Sequence, residues 1–76
     1  MRDEDLRRII RKNLIYLRTQ KGATQAEIGK LVGKSINAVG SWEQGLSLPD
    51  ICTLYQLAKF YGVPIESIFE DTSITE

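Results

Sequence analysis

Basic side chains are the residues of this chain best suited to chemistry, and nine of the ten fall within the first 34 of its 76 residues. There Arg2, Arg7, Arg8, Arg11, Lys12, Arg18, Lys21, Lys30 and Lys34 stand against four acids, Asp3, Glu4, Asp5 and Glu27, a surplus of five positive charges. Residues 35–76 hold Lys59 against six acids, an equal negative surplus. Such a block can neutralise phosphate, the main source of non-specific affinity for nucleic acid. A net charge of zero does not argue against this, because a fold that gathers the first half on one face presents a basic surface despite the neutral total. The same charges also serve to solvate helix faces, and for Arg7 to Lys12 both readings stand.

Other chemistry is scarce. The chain has no histidine and one cysteine, Cys52, so neither a zinc site nor an internal disulfide is expected. Cys52 has no cationic neighbour or second cysteine near it in sequence, and reads as a filler or half-exposed thiol rather than a redox sensor. No paired carboxylates mark an apolar cleft and no glycine-rich loop could cradle a phosphate, which excludes the common enzyme classes; no cofactor is expected. No apolar run approaches the roughly 18 residues that span a membrane, and the start MRDEDLRRII is charged, without a signal-peptide core. A cytoplasmic location follows as an expectation.

The elements that must position the polar groups are clearest over Thr24 to Gly45, TQAEIGKLVGKSINAVGSWEQG. Thr24 as N-cap and Glu27 three residues on form a capping box, followed by Ile28, Leu31 and Val32 as an apolar stripe. Gly33 closes that helix, and Lys34 and Ser35 lead directly into a second one that carries Val39 and Trp42 inward. Two short helices joined by so tight a bend read as a helix-turn-helix. Gly29 sits mid-helix, where glycine costs about 1 kcal/mol against alanine. It predicts a close approach by the second helix.

The flanking patterns predict three more helices, with 42% hydrophobic and 26% charged residues placing the whole among ordinary globular domains. The first starts after the acids Asp3, Glu4 and Asp5 and stops at Lys21-Gly22, with Ile10, Leu14 and Leu17 facing the core. Ile9, Ile15 and Tyr16 widen its apolar surface, either as a second contact surface or as the broad stripe of a small protein. The fourth is announced by Pro49-Asp50, runs through Ile51, Leu54, Leu57, Ala58 and Tyr61, and ends at Gly62. Val63, Pro64, Ile65, Ile68 and Phe69 predict a short fifth helix with more apolar surface than it can bury alone. The expected fold is an all-α, compact five-helix domain over residues 1–70, followed by a short acidic tail, residues 71–76.

Thr24 to Phe69 resembles the helix-turn-helix domain of phage repressors of the lambda and Cro kind, the XRE-like regulators. The residues that carry the resemblance are Leu14, Leu17 and Arg18, then TQAEIGKLVG, SINAVGSWEQG and LPDICTLYQLAKFYGVPIESIF, in the right order and at the right gaps. The resemblance implies a sequence-specific regulator of transcription, a repressor, whose helix at about residues 35–44 enters the major groove of double-stranded DNA. It places Ser35, Ile36, Asn37, Gly40 and Ser41 at base-facing positions and Gln25, Lys34, Ser35 and Gln44 on the phosphates. Asn37 is then the best reader, since an amide pairs in bidentate fashion with adenine, and Ile36 suits a thymine methyl. Each has a second role open to it: Ser35 is the natural N-cap, Asn37 a solvated polar residue, and Trp42 a core residue rather than a base stacker. Arg18 and Glu43 resemble a recurring pair that supports the recognition helix.

Departures from the family pattern are Lys34 at a usually apolar place, Gly40 where a side chain often reads a base, the lack of a basic residue in Gly45 to Pro49, and Pro64 in place of the usual small N-cap. The implied partner is a palindromic operator bound by a homodimer, with Val63, Pro64, Ile65, Ile68 and Phe69 as first choice of contact and Ile9, Ile15 and Tyr16 as second. The alternative function is a protein-interaction module or antitoxin that keeps the fold.

Overall fold

The computed structural model describes residues 1–71 and contains four α-helices and one 3-10 turn: α1 Asp3–Lys21, α2 Gln25–Val32, α3 Ile36–Gln44, α4 Ile51–Tyr61, and the turn Ile65–Phe69. Except for Asp71, the acidic tail expected at 71–76 lies outside the described residues. The expected fifth helix is therefore corrected to a 3-10 turn. The segment that turns after Pro64 is only five residues long, Ile65–Phe69, and gains too few hydrogen bonds to propagate an α-helix.

Local chemistry sets the helix ends. Thr24 Oγ1 accepts from the Glu27 N–H at 3.0 Å while the Glu27 carboxylate accepts from the Thr24 N–H at 2.8 Å, completing the capping box. Gly33 closes α2 and Gly45 closes α3, at φ 71° and 80°, left-handed conformations that favour glycine. Gly29 answers to a close approach of a different kind from the one expected. A Cβ there would lie 2.7 Å from the Lys34 carbonyl oxygen, so the backbone of the turn, not α3, forbids a side chain.

The core is built from every element: Ile10 and Leu14 of α1, Ile28 and Val32 of α2, Val39 and Trp42 of α3, Leu54, Leu57 and Ala58 of α4, and Ile68. α2 packs against α3, α1 crosses α3 and the 3-10 turn, and α4 closes the remaining side. Several expected faces shift. Ile9 is buried, so it is no part of a second contact surface, whereas Tyr16 is exposed and Ile15 half-buried. Ile68 is fully buried and cannot serve a dimer contact. Leu31 is exposed, on the rim of a groove with Ala23 and Phe60, because Ile28 and Val32 already define the inward face of α2. Ile51, the first residue of α4, is 67% exposed because the core begins one turn later at Leu54. No helix among the described residues is long and apolar enough to cross a membrane.

Candidate nucleic-acid interface

α3 is fixed from its inner side. Val39 and Trp42 bury into the core, and Glu43, the one charged residue of the helix, turns inward with them. Arg18 of α1 meets the Glu43 carboxylate with a two-pronged grip, Nε to Oε2 at 2.7 Å and Nη2 to Oε1 at 2.9 Å, and its Nη1 donates to the Ala23 carbonyl at 2.9 Å. Gln25 Nε2 adds a bond to Glu43 Oε1 at 2.9 Å. One carboxylate thus ties together α1, the start of α2 and α3. Burial by itself pushes the Glu43 carboxyl up, but the bonds from Arg18 and Gln25 outweigh it and hold the group below its ordinary value. The same contact raises the Arg18 guanidinium against its own desolvation. Burial, assisted by the Glu43 charge and opposed by Arg18, pushes the nearby Tyr61 phenol up to about 12.

With Val39, Trp42 and Glu43 turned in, the outer face of α3 carries no charge. Ile36 is 52% exposed, Asn37 and Gln44 are exposed, and Gly40 and Ser41 are half-buried. Ser35 is exposed and its Oγ accepts from the Ala38 N–H at 3.1 Å, so it is the N-cap of α3. Gly40 faces the Gln25 side chain, where a Cβ would make only ordinary contact at 3.8 Å.

The residues expected on phosphates are placed less uniformly. Lys34 lies 3.6 Å from Asp50, the N-cap of α4, in a solvent-exposed pair. A main-chain bond from Thr53 is the largest influence holding the Asp50 carboxyl below its ordinary value. Gln25 spends its amide on Glu43 rather than presenting it to solvent, and what it still offers an anion is its main-chain N–H in the first turn of α2. The amide bond from Gln25 was not legible in sequence, since its partner lies 18 residues away.

The arrangement is a polar, uncharged helix face flanked by the N-terminal ends of two helices. Comparison with known proteins decides the family, for residues 14–68 match a helix-turn-helix domain. The chain belongs to the helix-turn-helix family of the Cro and lambda type. Members of this family are DNA-binding regulators of transcription and not enzymes. Among its relatives is y4dJ of Sinorhizobium fredii, named as a regulator of this type, 39% identical over 59 residues that cover 78% of the chain and 77% of that protein. The cryptic phage CTXphi transcriptional repressor RstR of Vibrio cholerae is 36% identical over 56 residues, which are 74% of the chain but half of RstR. A solved structure of the SOS-response repressor LexA from Eubacterium rectale superposes with a TM-score of 0.86 at 24% identity, over 97% of the chain and 79% of LexA, a likeness of fold.

Proposed function

We propose that this helix-turn-helix chain is a sequence-specific repressor that inserts α3 into the major groove of double-stranded DNA and works inside the cell. The observation that carries the reading is the uncharged outer face of α3, Ile36, Asn37, Ser41 and Gln44, on a helix whose roll is locked by Trp42, Val39 and Glu43. A face held that firmly has few rotational alternatives, which is what discrimination between base edges requires. Phosphates are held at the N-terminal ends of α2 and α3, where Gln25, Lys34 and Ser35 stand. The name of RstR supports repression rather than activation.

Selection of bound duplexes from a random pool tests the reading. Asn37→Ala should then cost about 1–3 kcal/mol on the selected site and relax preference at one base pair. Equal losses on selected and random duplexes would remove Asn37 from the reading role.

The proposed working unit is a symmetric dimer, since one recognition helix reads only a few base pairs and two-fold related copies place two such helices about 34 Å apart. Val63, Pro64 and Ile65 remain as the contact, joined in one shallow groove by Tyr55 of α4, with Ile51 exposed one turn before it; Phe69, half-buried like Val63 and Ile65, does not line that groove. Tyr55 is 55% exposed, so Tyr55→Glu should leave the fold intact and abolish cooperative occupancy of a palindromic duplex. Sedimentation with and without that duplex is the measurement, and a wild-type protein that saturates at one copy per operator would exclude the dimer.

A further inference from the structure

Residues 35–58, which comprise α3, the loop after it and most of α4, contain no lysine or arginine. The N-terminal ends of α2 and α3 carry the positive end of a helix dipole and need little help with phosphate, but the C-terminal end of α3 carries the negative end and has no basic residue in its last turn. A DNA strand passing there needs cations from another element. α1 brings them. The Arg11 side chain lies against Gly45, the residue that closes α3, so closely that a Cβ on Gly45 would stand 3.2 Å from Arg11 Cδ. Arg7, Arg8 and Arg11, one helical turn apart or less, line a shallow hollow of about 260 Å³ with Glu4 and Gly45.

The three arginines differ in what else they hold. Arg7 pairs with Asp3 at 3.5 Å and Arg8 with Asp5 at 3.4 Å, both at the surface, where such pairs are weak and readily exchanged. Arg11 has no ionic partner among the described residues. Its planar guanidinium is free to meet two phosphate oxygens at once.

We propose that Arg11, supported by Arg8, is a second phosphate grip, holding the DNA backbone where it passes the C-terminal end of α3. This rests on the DNA-binding reading above. It supplies on α1 the positive charge that the Gly45 to Pro49 loop lacks, and explains why the basic surplus sits at one end of a neutral chain.

The test is the dependence of binding on salt, measured on the selected duplex and on a random one. Arg11→Gln should lower the slope of log K against log salt by about 0.9 per bound protomer and weaken both duplexes on the order of tenfold per protomer at 0.1 M salt, with their ratio unchanged. The Arg8→Gln/Arg11→Gln double variant should lower the slope by up to about 1.8 per bound protomer, and Arg11→Lys should restore most of what Arg11→Gln loses. Lys12→Gln is the comparator, because Lys12 points toward Asp71 at 3.8 Å, and it should leave the slope unaltered. An unchanged slope in a folded Arg11→Gln protein, or an equal loss in Lys12→Gln, overturns the grip while leaving the functional reading in place. A wild-type protein that retains no duplex overturns both.

Discussion

Arg18→Ala should cost about 3–5 kcal/mol of stability at neutral pH, toward the lower end because Gln25 remains bonded to the carboxylate it strands. The loss is large because Glu43 is buried and its charge then has no counter-ion. A double-mutant cycle with Glu43→Ala should show that the two losses are not additive, the double variant losing less than their sum. The pH dependence gives a second signature. In the wild-type protein the Glu43 carboxyl sits below its unfolded value of about 4.3, so its contribution is present above that value and is lost as pH falls through the folded pKa. Without Arg18, burial dominates and raises the folded pKa above the unfolded one, reversing the sign. Arg18→Ala should therefore be less damaging at pH 4 than at pH 7, a crossover that thermal melts at the two values would detect. Small, additive and pH-independent effects would mean that α3 is not held by this pair.

The helix-turn-helix was legible because its signals are local. A threonine with a glutamate three residues on, a glycine after the last apolar residue and a serine before the next helix act within one turn, so Thr24, Gly33, Ser35 and Gly45 fall in the structure where the sequence puts them. The outward positions of α3 came instead with the family resemblance, and in the structure Ser35, Ile36 and Asn37 are exposed while Gly40 and Ser41 are half-buried. Faces decided by more distant elements were not legible. Ile9 looks like surplus apolar surface from the spacing of α1 alone, yet the assembled fold buries it. Ile51 fits the apolar period of α4 and still lies in solvent, because a period states which side of a helix is inward and not where the neighbouring element begins. The 3-10 turn is not separable from a helix by sequence pattern, because Ile65 and Ile68, three apart, fit both spacings over so short a segment.

Asn13 shows what sequence reasoning missed and what it could have caught. The residue falls on the inward side of α1, three after Ile10 and one before Leu14, where a polar side chain interrupts an apolar stripe. That interruption is itself the signal, since a buried amide needs partners. Asn13 Nδ2 donates to the carbonyls of Ile68 and Glu70, both at 2.8 Å, and of Ser67 at 3.3 Å, closing the 3-10 turn over the core from 54 to 57 residues away. Two amide protons thus serve three carbonyls, one of them shared. Asn13→Ala should cost about 2–3 kcal/mol by leaving those carbonyls unpaired beside a cavity. Asn13→Asp should be worse at pH 7, since it sets a buried negative charge against carbonyl oxygens, and should recover in part as the pH falls toward about 4, because burial raises the folded pKa of the acid and its protonated form regains one donor. Urea unfolding at both pH values, with hydrogen exchange at Ser67 to Glu70, separates these outcomes. Equal stability of wild type and Asn13→Ala would mean that Ile68 holds the turn by packing alone. If the order is as expected, one amide keeps Ile68 in the core, and with it the Val63 to Ile65 surface on which the proposed dimer depends.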